Sequence, residues 1–286
     1  MESLLAQTHP YWTIYASDDG STDDTIAILE RYQKQLGVDR LVIMRGMRQG
    51  AANNFMTLLR RPEIHGDFFA YCDQDDIWLP DRLARGVAWC ASAIEAIPAL
   101  FCSRTHFIDE NDAPLGESPR ITRPPSFQNA LLQNIASGNT MLFNQAARQL
   151  LLKTEHLNDV IVHDWWTYLL VSACGGSVHC DAEPTVLYRQ HDHNLIGSGA
   201  GWRARMARLR RVLAGRDQQW NERHLRALAP FTSSMPAENR KTLELFTQAR
   251  HASFFRRLVL FLRSGVYCQN AAANLRLWVS VLLGKL

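Results

Sequence analysis

Tyr71-Cys72-Asp73-Gln74-Asp75-Asp76-Ile77-Trp78 sets three carboxylates within four residues, directly after an apolar run. That run, Asp67 to Tyr71, reads as a short buried strand, and Leu79-Pro80-Asp81 opens a helix with proline in its first turn. The acids therefore lie on the turn leaving a strand's C-terminal end. At this edge of an open α/β sheet, loops present charged groups to a ligand. Carboxylates so close repel one another, and water or a divalent cation must neutralise them. The stretch alone admits two readings, a metal site or a solvated acidic helix cap.

The surrounding sequence repeats the strand-then-helix arrangement. Strands are predicted over Tyr11 to Ser17, Leu41 to Met44, Asp67 to Tyr71 and Leu100 to Phe107. Helices are predicted over Asp23 to Leu36, Ala51 to Leu59 and Asp81 to Ile97. Such alternation marks βαβ units, hence an α/β fold with a mostly parallel sheet flanked by helices. Beyond residue 107 the pattern loosens, with a turn at Asp109-Glu110-Asn111-Asp112 and a loop at Arg123-Pro124-Pro125.

A chain of 286 residues, 47% hydrophobic and 21% charged, can bury one large core with or without an appendage. It has no uninterrupted apolar stretch of spanning length and no signal-peptide layout at Met1, which predicts a cytosolic protein. The six cysteines form no Cys-x-x-Cys pair and read as buried reduced thiols. Charge is divided unevenly. Residues 1–200 hold 15 Lys and Arg against 24 Asp and Glu, and residues 201–286 hold 16 against 4, a net +12. The change falls at Gly197-Ser198-Gly199-Ala200-Gly201, a small-residue linker. The predicted organisation is thus an acidic domain over 1–200 and a basic helical region over 201–286.

Four further segments carry chemistry. Ser17-Asp18-Asp19-Gly20-Ser21-Thr22-Asp23 ends a strand with more acid than a helix cap needs, leaving Asp18 and Asp19 for a ligand. In Arg48-Gln49-Gly50-Ala51-Ala52-Asn53-Asn54, a glycine permits close backbone approach at a helix start that could face a phosphate. Ser137-Gly138-Asn139-Thr140 is a small polar loop leading into Met141 to Phe143. In His163-Asp164-Trp165-Trp166, Asp164 is either a plain helix cap beside a hydrophobic anchor or a general base beside a sugar-stacking platform.

Together, Asp-Asp-Gly-Ser-Thr-Asp at 18–23, Asp-Gln-Asp-Asp-Ile-Trp at 73–78, Ser-Gly-Asn at 137–139, His-Asp-Trp-Trp at 163–166 and Tyr-Arg-Gln-His-Asp-His-Asn at 188–194 resemble family 2 glycosyltransferases of the GT-A fold. The resemblance covers most of residues 1–200, and its last three segments look most like bacterial rhamnosyltransferases of surface polysaccharide synthesis. It implies a Rossmann-like, mixed and mostly parallel sheet. It also implies inverting transfer from a nucleotide sugar, dTDP-rhamnose, to a hydroxyl of a lipid-linked or polysaccharide acceptor. By the same resemblance, Asp18 and Asp19 contact the base and ribose, and Gly50 and Asn54 line that pocket. Asp73 and Asp75 bind the sugar nucleotide, Asp75 and Asp76 hold Mg²⁺ or Mn²⁺ at the diphosphate, and His191 is an extra metal ligand or a diphosphate contact. Asp164 is the general base, with Gly138, Asn139, Trp165 and Trp166 on the acceptor and sugar side.

One segment departs from the family pattern. Family members begin with an apolar strand ending in Pro-x-Tyr-Asn and a helix after it, whereas Met1 to Thr8 already resembles the end of that helix. The domain over 1–200 is therefore expected to lack its first strand. In the basic region, Trp202 to Leu213 predicts an amphipathic helix, and Phe254 to Leu262 and Leu275 to Leu286 are apolar segments flanked by Arg and Lys. These suit a peripheral position on the cytoplasmic face of the inner membrane, or a helical cap with its arginines in water. The acidic body and the absence of a recognition motif exclude nucleic acid as a partner. Two other functions compete. A metal-dependent nucleotidyltransferase would need a Gly-rich triphosphate loop near the N-terminus, and none is visible. A truncated, catalytically impaired paralogue would bind only membrane or a partner protein.

Overall fold

A computed structural model describes residues 1–155, 157–191 and 216–286. After a short helix α1 (Glu2–Leu5), strands β1 (Ile14–Asp18) and β2 (Leu41–Arg45) pair in parallel around helix α2 (Thr25–Leu36), with Ile14 opposite Leu41 and Asp18 opposite Arg45. Helix α3 (Ala51–Leu59) has the predicted bounds and buries Met56 and Leu59. It leads to β3 (Phe68–Ala70), β4 (Ile77–Trp78), α4 (Arg82–Ser92), β5 (Ala99–Ile108) and β6 (Pro114–Glu117). The body continues through α5 (Phe127–Ala130), β7 (Leu142–Asn144), α6 (Gln145–Leu152), α7 (His163–Ala173) and β8 (Ser177–Arg189).

The main sheet has the order β3-β7-β5-β8-β4, with β6 folded back on β5. Strands β5 and β8 are parallel, β7 is antiparallel to both of its neighbours, and β4 is antiparallel to β8. The sheet is thus mixed: β3, β5 and β8 share one direction, against β7 and β4. Among the described residues β1 has a ladder only with β2 and β3 only with β7, so the strands form two sheets.

Three expectations differ locally. The insertion of β7 between β3 and β5 was not anticipated, because three residues buried throughout give no periodic signal. The two-residue strand β4 escapes for the same reason. Helix α4 stops at Ser92 rather than Ile97, because Ala93 turns extended and Ile97 precedes Pro98, where helical backbone is disfavoured.

The basic region contributes α8 (Arg216–Leu228), α9 (Ala237–His251), α10 (Phe254–Ser264) and α11 (Ala271–Leu283). Their Leu228, Phe246 and Val281 are fully buried in the same core as Phe143, Leu151 and Trp166. These helices therefore cap the sheet domain through their apolar faces. The expected linker at 197–201 and the helix over Trp202 to Leu213 lie outside the described residues.

Phe143 is central to the core. It sits on β7 opposite Phe69 and Leu100, and its ring lies 5.2 Å from that of Tyr71, the last residue before the acidic turn. Phe143→Ala is expected to lower unfolding free energy by about 3–5 kcal/mol in urea titration. A loss under about 1 kcal/mol would show that the core collapses around the gap.

Candidate active site

The acidic turn follows β3, and its carboxylates are treated differently by their surroundings. Asp76 accepts hydrogen bonds from the Asn139 side chain and from the Arg189 N–H at 2.9 Å. Burial nevertheless pushes its carboxyl up to about 6. Asp75 Oδ2 lies 2.8 Å from His191 Nε2. The Asp73 carboxylate, unlike its carbonyl, which accepts from Cys72 Sγ, has no hydrogen-bond partner among the described residues, and burial, with the charges of Asp76, Asp75 and Asp164, raises it to about 7. Arg189, at the end of β8, ties the turn down: its Nε donates to the Asp75 carbonyl, and its Nη1 pairs with Asp112 at 2.8 Å.

Beneath the turn lies Arg82, which is 1% exposed. Its Nη2 donates to the carbonyls of Asn139 (2.8 Å), Met141 (3.1 Å) and Tyr71 (3.5 Å), and its guanidinium stacks 3.4 Å from the Trp78 ring. Burial lowers its pKa to about 9. Arg82 escaped the sequence reading because a cation in a helix's first turn looks like surface. Arg189 stands in the Tyr-Arg-Gln-His segment, but its partners are distant in sequence and no role for it follows from the sequence alone.

Asn139 belongs to a 3₁₀ turn over Gly138–Thr140, and this turn holds Asp164 at the start of α7. The Gly138 N–H donates to Asp164 Oδ2 at 3.0 Å, and the Trp165 N–H to Oδ1 at 2.5 Å. Burial raises Asp164 to about 6, and those hydrogen bonds, with the Asn134 side chain, restrain the rise. Such a carboxylate is poised to take a proton near neutrality. Beside it, His163 is stacked on Phe55 at 4.2 Å and meets Tyr71 edge-on, and burial lowers its pKa to about 3.

The aromatic platform needs correction. Trp166 is fully buried, donates from Nε1 to Thr154 and packs on Phe231, so it is a core residue that no sugar can reach. Trp165 is half-buried, anchored to the Ala130 carbonyl at 2.7 Å and faced by Trp220 and His224 of α8. Asn139, 1% exposed, is a bracket inside the fold rather than a surface contact.

On the β1 side, the surplus acid is used by the protein's own backbone. Asp18 accepts from the N–H groups of Gly20 and Ser21, and hydrogen bonding from Ser21 leads the causes that hold its pKa below the usual range. Asp19 accepts from Arg48 N at 2.6 Å and Gly50 N at 2.8 Å, which closes the second loop onto the first. Gly50 has φ 85°, a conformation glycine adopts freely. Asn54 locks α3 to β1, donating to the Ser17 carbonyl at 2.9 Å and accepting from its hydroxyl at 2.7 Å. These four residues are thus brought together.

The donor set suits a hard divalent cation, since it offers carboxylate oxygens and one imidazole. Burial first, and neighbouring carboxylates second, raise Asp73 and Asp76, and a bound cation would favour their ionised forms. Asp75 and His191 already meet, while Asp76 is turned to Asn139 and Arg189. Among the described residues, no three His, Cys, Asp or Glu side chains are yet gathered in ligating geometry.

An α/β sheet whose strand ends carry an acidic turn and a poised carboxylate base fits a sugar-transferring enzyme. Residues 1–151, more than half of the chain, match the family described as Glycosyl transferase family 2, and the chain belongs to that family. This sets aside the nucleotidyltransferase reading. The dTDP-rhamnosyl transferase RfbG of Shigella flexneri is 24% identical over 221 residues, 73% of either chain. The putative teichuronic acid biosynthesis glycosyltransferase TuaG of Bacillus subtilis is 36% identical over 87 residues, 30% of this chain and 32% of its own. The UDP complex of S. aureus TarS 1–349 superposes with a TM-score of 0.52 at 13% identity, over 99% of this chain and 85% of that one, a likeness of fold alone.

Gly138 is the point at which the 3₁₀ turn beside Asp164 is tightest. A Cβ there would stand 2.8 Å from His163 Nε2 and 3.3 Å from Asp164 Cβ, and the stacked His163 cannot retreat. Gly138→Ala is expected to lower kcat by about tenfold or more through misplacement of Asp164. Nucleotide affinity, read by calorimetry, should stay within about twofold, since the β1 side is a separate part of the site. Unchanged kcat would show that the loop adapts.

Proposed function

We propose that this glycosyltransferase moves rhamnose from dTDP-rhamnose to a hydroxyl of a lipid-linked or polysaccharide acceptor, with inversion at the anomeric carbon, in surface polysaccharide assembly on the cytoplasmic side of the inner membrane. The observation that carries the chemistry is Asp164, a carboxylate raised to about 6 and aimed by two backbone N–H groups. The relative that is named a dTDP-rhamnosyl transferase supports the donor.

In this reading the acceptor hydroxyl approaches Asp164, which takes its proton as the oxygen attacks the anomeric carbon. The nucleoside diphosphate departs from the opposite side, so a single displacement inverts the configuration, through an oxocarbenium-like transition state. Asp18, Asp19, Gly50 and Asn54 form the base and ribose side. Asp75, Asp76 and His191 would hold Mg²⁺ or Mn²⁺, which when bound would offset charge developing on the diphosphate. The Asp73 carboxylate, which has no hydrogen-bond partner among the described residues, is left to accept from a sugar hydroxyl. Arg82 and Arg189 keep the acidic turn and the base loop at a set separation.

Asp164→Asn is expected to cut kcat for transfer by about 10²–10⁴-fold while donor affinity is kept. The base must be ionised, and its pKa is raised, so activity is present above that value and lost below it. In the wild type, kcat/KM should therefore fall about tenfold per pH unit as pH drops below about 6. Transfer by the Asn variant near the wild-type rate would remove Asp164 from the mechanism. In a panel of nucleotide sugars, preference for any donor other than dTDP-rhamnose would overturn the assigned sugar.

A further inference from the structure

We infer that the outward faces of α10 and α11 form a docking surface for an anionic lipid bilayer. This deepens the proposed transfer to a lipid-linked acceptor and rests on it for its purpose, though not for its test. On α10, Phe255, Val259 and Leu262 recur at i, i+4 and i+7 and are 79%, 52% and 63% exposed, while Leu260, Phe261 and Ser264 are buried on the other side. On α11, Leu275, Val279 and Leu282 repeat that spacing and are likewise exposed, and Val281 is buried. The helices are locked antiparallel: Phe261 and Trp278 meet edge-on at 4.9 Å, and Arg257 Nη1 donates to the Val281 carbonyl at 3.2 Å. With Phe254 and Leu283, eight large apolar side chains stand exposed on two adjacent helices. Such a patch marks an interaction surface.

Charge decides what covers it. Residues 252–286 contain five cationic side chains (Arg256, Arg257, Arg263, Arg276 and Lys285) and no Asp or Glu. Arg256 and Arg263 are exposed and, by helical periodicity, border the apolar stripe of α10, as Arg276 borders that of α11. Apolar groups flanked by cations match the acyl boundary and the phosphates of an anionic leaflet. A second copy would set five cations against five, and a nucleic acid backbone offers the apolar stripe no partner. Helices of 11 and 13 residues extend roughly 16 and 20 Å, short of the ~30 Å hydrocarbon core, so they lie in the interface. No helix among the described residues is long and apolar enough to cross a membrane.

The surface is also coupled to the base loop. Between the two helices, Tyr267 shares a hydrogen bond with Ser126 Oγ at 2.9 Å and accepts one from Asn129, while Gln269 N donates to Gln133. That segment carries Ala130, whose carbonyl holds Trp165 beside Asp164.

The test is flotation of the full chain with vesicles of phosphatidylglycerol and phosphatidylethanolamine, against phosphatidylcholine alone. The wild type should float with the anionic vesicles only. The double variant Phe255→Glu with Leu262→Glu should partition about tenfold or more less well. Arg256→Ala with Arg263→Ala, which leaves the apolar face intact, should lose a similar factor on anionic vesicles. Both variants should keep the wild-type melting temperature and hydrolyse nucleotide sugar in solution as the wild type does. Flotation of the Glu variant like wild type, or wild-type chains that ignore anionic vesicles, would overturn the proposal. So would wild-type dimers that the Glu variant turns to monomers without any vesicle binding. Correct flotation with no sugar transfer would uphold the surface and sink the function assigned above.

Discussion

The buried guanidinium of Arg82 is the constraint on which the rest of the site depends. It reaches the carbonyls of Tyr71, just after β3, of Asn139 in the 3₁₀ turn, and of Met141, just before β7. A buried cation must be satisfied where it stands, so two segments far apart in sequence, one around Tyr71 and one over Asn139 to Met141, are held at one spacing. Asn139, gripped through its carbonyl, sends its side chain to Asp76, while its neighbour Gly138 gives its N–H to Asp164. The acidic turn and Asp164 are thereby parts of one hydrogen-bonded unit.

That unit concentrates negative charge where water is partly excluded. Asp73, Asp76 and Asp164 all hold their protons more tightly than ordinary carboxylates, with desolvation as the leading cause in each. Such crowding costs folding stability, and it is tolerated at sites that bind cations and take protons. Arg189 moderates it from the side by fixing the turn's backbone against residues 109–112, while Asp19 does the corresponding work between the first two loops.

The C-terminal helices show why a net charge of +12 is compatible with packing on an acidic body. Their apolar faces enter the common core through Leu228, Phe246 and Val281, while Arg250, itself buried, reaches the Gln218 carbonyl and Glu222, Arg257 reaches backbone carbonyls, and Arg226 reaches Asp159. On α10 and α11 a second apolar face is left outside, bordered by cations and without acids. A helix needs one such face to join a core, and the second is surplus to folding.

Much of the site was legible in the sequence. The strand–turn–helix order around Asp18 and Asp73, the bounds of α3, and the order of the acidic, Ser-Gly-Asn and His-Asp-Trp-Trp segments all follow from local patterns of polarity and turn residues, which the chain carries whatever its partners. Less legible were the three-residue strand β7 and the roles of Arg82 and Arg189, since short buried runs have no period and a buried cation looks like a surface one until its carbonyls are in place. The same holds for Trp165 and Trp166, adjacent and alike in sequence. Helix geometry turns one toward the base loop and α8 and the other into the core. The sequence by itself determined which chemical groups stand at the ends of strands, because local patterning sets where strands end. Only the tertiary structure decided which of those groups meet, because contacts between residues 60 or 100 positions apart arise from core packing and from a buried charge that must find its partners.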